Sequence, residues 1–196
     1  MTKSLNALFA LVAIFLAGCT PFVIASNTQH FATDEYAFPL ADGSYAVTET
    51  SVSSASVANL PGHVEITMIE KDGKAHTLIG GFIALKTPGH FIFQATDATE
   101  GGKPADKKAE ESIYIPVHFA KTGQVDWLVG PKPSCGAQCE ALFASSGFQI
   151  DGYSGWRAPK GLSRNQILSF YEALAPIVER NPNAWESVTA MRIGGT

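Results

Sequence analysis

Between Tyr36 and Gly130 the chain alternates runs rich in Val, Ile, Phe, Tyr and Thr with the turn dipeptides Asp42-Gly43, Asp72-Gly73, Pro88-Gly89 and Thr122-Gly123. That punctuation predicts strands joined by short turns, hence antiparallel neighbours. If Asp72-Gly73 is a two-residue loop, Lys71 pairs with Lys74, and one face collects Val64, Ile66, Met68, Ile79 and Ile83. The reverse face collects His63, Glu65, Thr67, Lys71, Lys74 and His76, with Leu78 and Phe82 as apolar exceptions. This hairpin has a core side and a wet side.

The next two hairpins are apolar on both faces. Around Pro88-Gly89, Ile83, Leu85 and Ile92 share one face while Phe82, Phe91 and Phe93 share the other. Around Thr122-Gly123, one face takes Tyr114, Val125, Trp127 and Val129 and the other Ile113, Ile115, Val117, Phe119 and Leu128. Strands that are apolar on both sides need a layer on each. The polar stretch from Asp97 to Glu111 has no apolar period and reads as a long loop.

After Gly130 the period changes. Ser163 and Gln166 form a capping box, and Leu162 with Ile167 a hydrophobic staple. Ile167, Phe170, Tyr171, Leu174 and Val178 then repeat at helical spacing, with Pro176 as a kink or early stop and Pro182 beyond the end. A shorter helix is expected from about Cys135 to Ser145, ended by Gly147, and residues 183–193 fit either helix or strand. The pattern predicts an α+β fold, mainly antiparallel β as a sandwich or small barrel, with C-terminal helices packed on the sheet. It divides into residues 1–18 as a leader, 19–34 as a tether, and 35–196 as one β-rich domain whose helical part spans about 134–192.

The leader carries chemistry. Lys3 precedes an uncharged, proline-free run from Ala7 to Ala17, which is shorter than the roughly 20 residues a membrane-spanning helix requires. It ends in Leu16-Ala17-Gly18-Cys19, which resembles the lipobox of bacterial lipoproteins. The resemblance implies a signal peptide removed after Gly18, a lipidated Cys19 as the first mature residue, and a membrane anchor made permanent by several acyl chains. Thr20 in place of Asp implies delivery to the outer membrane, facing the periplasm. Cleavage after Val23-Ile24-Ala25 is the alternative, which would release a soluble periplasmic protein.

With 18 acidic against 14 basic side chains and no basic stripe, nucleic acid is not an expected partner. Hydrophobic residues make up 45% of the 196, which excludes a disordered chain and is enough for a sizeable core. With Cys19 assigned to lipid, Cys135 and Cys139 remain, and in an oxidising compartment two cysteines four residues apart most simply form a local disulfide. The same CxxxC spacing resembles periplasmic copper-handling proteins of thioredoxin-like fold. Those place a histidine downstream of the pair, whereas the last histidine here is His118.

None of His30, His63, His76, His90 and His118 pairs with another at metal-site spacing, and structural or surface roles are expected for all five. His118 is placed opposite Trp127 in the third hairpin. Gly152-Tyr153-Ser154-Gly155-Trp156 lacks the last glycine of a nucleophile elbow, and no phosphate loop is present. Tyr153, Trp156 and Arg157 are the candidate recognition surface, because aromatics with Arg dominate binding hot spots. No catalytic residue, metal or cofactor is assigned. The expected function is a non-enzymatic binding, interaction or structural role of a lipid-anchored envelope protein, with the membrane and an envelope protein or ligand as partners. Copper or thiol-redox work by the CxxxC pair is the alternative, and a barrel holding a lipid ranks third.

Overall fold

Eight strands close on themselves because each has an apolar face to bury toward a common axis. The computed structural model describes residues 24–48, 52–104, 112–120, 124–131, 136–151, 155–157, 159–182 and 185–193. The barrel strands are β2 (Gly43–Val47), β3 (Val52–Leu60), β4 (His63–Glu70), β5 (Ala75–Ala84), β6 (His90–Glu100), β8 (Ser112–Phe119), β9 (Gln124–Pro131) and β12 (Trp185–Ile193). Every neighbour is antiparallel, each strand lies beside the next barrel strand in the chain, and β12 closes on β2 with Ala190 opposite Val47. Closure pairs both long edges of this barrel, so neither is left as an open sheet edge. The fold is α+β and mainly antiparallel β.

The lumen is filled with side chains. Phe82 packs with Phe93 at 4.8 Å between ring centroids and with Phe119 at 5.6 Å, and Phe93 meets Trp127 edge-on at 5.5 Å. Val64, Ile66, Met68 and Leu78 continue this core along the axis. Eight strands give an interior that side chains can just fill.

The β4–β5 turn is one residue longer than the sequence suggests. At the β4–β5 turn, the Gly73 N–H donates to Glu70 O at 3.0 Å and the Glu70 N–H to Lys74 O at 2.8 Å, with Gly73 at φ +88°. This is a three-residue loop, a type I turn closed by a left-handed glycine, and not a two-residue Asp72-Gly73 turn. Ile66 therefore faces Leu78 and Met68 faces His76. A one-residue slip turns a strand over. Leu78 and Phe82, exceptions on the expected wet face, belong to the lumen, whereas Ile83 joins the outer layer. His76 moves with them: it is 2% exposed, its Nε2 3.2 Å from Glu70 Oε1.

The register of β9 on β8 is shifted by one residue in the same way. Val117 faces Trp127 and Phe119 faces Val125, so Val125 and Trp127 share the lumen with Ile113 and Ile115 and do not lie with Tyr114. His118 stands opposite Asp126 and not Trp127. At the β5–β6 turn the expected faces agree with the structure: Phe82, Phe91 and Phe93 point inward, and Ile83, Leu85 and Ile92 outward.

The outward residues are covered by helices. α1 (Ala137–Ser145) buries Cys139 and Phe143, and α2 (Arg164–Arg180) buries Ile167, Phe170, Tyr171, Leu174 and Val178. Phe170 stacks on Phe148 at 4.6 Å and meets Phe143 at 5.4 Å, and this layer closes on Ile83, Ile92 and Tyr114 of the barrel. The Ser163–Gln166 capping box is present, and α2 runs through Pro176 to Arg180. A short hairpin of β10 (Gln149–Asp151) and β11 (Gly155–Arg157) separates the helices. Residues 185–193, which fitted either class from sequence, form the closing strand, so the C-terminal part is not wholly helical.

Residues 24–34, expected within a tether, are part of the fold. β1 (Ile24–Ser26) pairs with the first half of β8, and Ile24 and Phe31 are 0% and 1% exposed. Gln94, itself 0% exposed, clasps the segment: its Oε1 accepts the Phe31 N–H at 3.1 Å, and its Nε2 donates to Phe31 O at 2.9 Å and to the Tyr36 hydroxyl at 2.6 Å. The Tyr114 hydroxyl adds a donation to Thr28 O at 2.9 Å. The expected polar loop after Asp97 begins later than its composition suggests. β6 runs to Glu100, and a Gly101-Gly102 turn leads into β7 (Lys103–Pro104).

Candidate functional site

Of the expected site residues, the structure describes Cys139, Trp156 and Arg157. Cys139 is fully buried in α1 and disulfide-bonded. Cys19, Cys135 and Tyr153 lie outside the described residues. Trp156 and Arg157 sit on β11, opposite Ile150 and Gln149.

Two of the five histidines are brought together. His90 opens β6 and His118 nears the end of β8, and these positions are directly opposite in the ladder. Both lie on the outer face, because Phe91 and Val117 beside them point into the lumen. The rings face each other with centroids 4.7 Å apart and planes 36° apart. Beyond His118, Asp126 on β9 places Oδ2 3.7 Å from His118 Nδ1. Asp126 Oδ1 accepts from Thr189 Oγ1 at 2.7 Å and from Gln124 Nε2 at 2.8 Å. On the other side Glu179 of α2 brings Oε1 to 3.7 Å from His90 Nε2. The result is a lateral row of carboxylate, imidazole, imidazole and carboxylate that crosses from α2 over three barrel strands.

The electrostatics of the row are asymmetric. His90 is 3% exposed, and burial, reinforced by the neighbouring His118, holds its pKa down at about 4 against the opposing pull of Glu179. Desolvation penalises the charged form, and 3.7 Å is too long for a hydrogen bond that would offset it. His90 is therefore neutral at neutral pH. Sequence reasoning missed the pair because 28 positions and a polar insertion separate the partners.

A second histidine contact lies on the N-terminal segment. Ser26 Oγ is 3.0 Å from His30 Nε2, and burial, then Arg164, hold His30 below the usual histidine range against a hydrogen bond with the Leu162 backbone that raises it. Serine beside a neutral imidazole is the arrangement of an activated nucleophile. Here Ser26 is 7% exposed and its oxygen is also engaged by the Thr28 N–H at 3.2 Å, so the pair clasps β1 to the chain ahead of α2.

The lumen holds a cavity of about 20 Å³ beside Met68 and Trp127, walled by Val47, Val52, Ala55, Ile66, Val188 and Ala190. That is space for one water-sized body, in an apolar wall that leaves it dry. Among the described residues no group of three or more His, Cys, Asp or Glu side chains is placed to hold a metal ion, and no helix is long and apolar enough to cross a membrane.

The class defined by fold and site is an eight-stranded antiparallel barrel with a helical cover, cross-linked at one end by a polar row. No protein family, curated protein or solved structure matches the chain.

Proposed function

We propose that the chain is a lipid-anchored protein of a bacterial cell envelope, with a non-enzymatic binding, interaction or structural role at the periplasmic face of the outer membrane. The observation that carries this reading is the run Leu16-Ala17-Gly18-Cys19 at the end of the uncharged stretch from Ala7, and the position of β1 bears on how far from such an anchor the barrel can lie. Only residues 20–23 separate the lipobox cysteine from Ile24, which is already buried and paired with Tyr114. Five peptide steps reach at most about 17 Å. A barrel tethered through Cys19 therefore rests against its own membrane and cannot reach across the periplasm. The side-chain-filled lumen supports a scaffold over a carrier of lipid. Against the copper alternative stands Cys139, whose sulfur is committed to a disulfide inside the helical layer.

The test is expression with the native leader in a bacterium fed a palmitate analogue. The expected result is labelled protein that only detergent extracts, and a Cys19→Ser variant that is unlabelled and leaves the membrane with salt. A native polypeptide that begins at Ser26, or that keeps Met1 and stays inside the cell, overturns the reading. Crosslinking from the native membrane with the anchor intact then identifies the partner.

A further inference from the structure

We propose that the row Glu179–His90–His118–Asp126 is an acid-released latch at the seat of α2: the helix docks over a neutral His90 and loosens from the barrel when that ring takes up a proton. The geometry provides both halves of such a device. Glu179 belongs to the last turn of α2, and His90 and His118 belong to the barrel wall. The helix is fixed to the same end by Glu172, whose two carboxylate oxygens accept the Lys86 N–H at 3.0 and 3.1 Å. A change at His90 therefore acts where α2 is held.

The charged and titratable groups around His90 come from each element that packs there. α2 presents Glu179, with Arg180 beside it turned back onto Pro176 O at 3.1 Å, and Glu172 on the turn. β8 presents His118, β9 presents Asp126 behind it, β12 adds only the neutral Thr189, and the turn before β6 carries Lys86. Of these, the Glu179 carboxylate is the one acid against His90, and it is 49% exposed, so water screens the attraction it would offer a protonated ring. Asp126 is committed to His118, Thr189 and Gln124. A proton on His90 is thus buried beside a second imidazole with a weak counter-charge while α2 is docked, and is solvated once α2 lifts.

The sign follows from linkage. His90 titrates at about 4 when docked and near the ordinary 6.5 when released. The released state therefore takes up a proton that the docked state refuses, from about pH 6.5 downward to about pH 4. At about pH 5 this raises the opening equilibrium of α2 about 30-fold relative to about pH 8.

The test is hydrogen exchange of the detergent-purified full chain, with each amide corrected for its intrinsic pH dependence. Between about pH 8 and about pH 5, the amides of Arg164–Arg180 are expected to lose about 30-fold more protection than those of the lumen strands β3 to β5. In a His90→Phe variant, which keeps an apolar ring in place, this helix-specific loss disappears. In His118→Gln, which keeps His90 but removes the imidazole beside it, the loss shrinks. Equal loss in helix and lumen of the wild-type chain overturns the latch, as does a full helix-specific loss in His90→Phe or an undiminished one in His118→Gln.

Discussion

The Tyr171 hydroxyl donates a 2.7 Å hydrogen bond to the backbone carbonyl of Tyr114, and this contact carries α2 through the apolar layer to the ladder of β8. Tyr171 is 1% exposed and Tyr114 0%. The Ile24 backbone also bonds the Tyr171 hydroxyl, which thus joins helix, barrel and N-terminal strand. In Tyr171→Phe the ring stays and the buried carbonyl loses its partner, an expected loss of about 1–3 kcal/mol. Urea unfolding followed by tryptophan fluorescence measures it, and a variant as stable as the wild type refutes this account of the joint.

The same tyrosines predict an alkaline limit. Burial pushes the Tyr114 phenol up to about 12 and raises Tyr171 well above its ordinary value. For a folded-state pKa raised above the unfolded one, stability is whole below the unfolded value and is lost as pH rises through the folded one. For Tyr114 the window is from about 10 to about 12, and the two-unit gap amounts to about 3 kcal/mol. A phenolate absorbance titration is expected to show Tyr114 and Tyr171 ionising only with loss of structure. Reversible ionisation of all five tyrosines in the folded chain contradicts this.

Gln94 predicts how the N-terminal segment is held. Gln94→Leu keeps the bulk but removes the bonds to Phe31 N–H, Phe31 O and the Tyr36 hydroxyl. Leaving backbone groups without partners in a buried site costs about 1–3 kcal/mol each. The expected outcome is faster exchange of the amides around His30 and Phe31, with the lumen strands unchanged. Unaltered exchange there shows that β1 pairing alone fixes the segment.

Two glycines test the register. Gly81 lies under the Tyr36 ring, where an added methyl would overlap the aromatic carbons, whereas Gly73 has open space but a φ of +88°. Gly81→Ala is expected to cost about 1–3 kcal/mol through forced displacement of Tyr36. Gly73→Ala is expected to cost about 1 kcal/mol through backbone strain alone. Denaturant midpoints with unchanged slopes distinguish them, and equal costs would deny the difference in cause.

Much of the fold was legible because its elements are local. The α2 helix follows from Ser163, Gln166 and an apolar stripe that one turn of chain already displays. The double covering of β5, β6 and β8 follows from apolar residues at both parities. What failed was parity itself at the loops after Glu70 and Phe119. After Glu70 it was Gly73, in the left-handed region, that added one residue to the turn, and the sequence Lys71-Asp72-Gly73 fits a two-residue or a three-residue loop equally well. That single residue decided whether Leu78 or Ile79 faced the lumen, and a one-residue shift in the separate register of β8 on β9 set His118 against Asp126 and not Trp127.

The amino-acid order by itself determined the strand-rich composition and the capped helix, since each depends on neighbours within about one turn or one dipeptide. Tertiary structure alone decided that β12 closes a barrel, that residues 24–34 dock on it, and that His90 meets His118. These depend on which edges pair across long stretches of chain, and edge pairing is settled by the collective burial of both faces and not by any local preference.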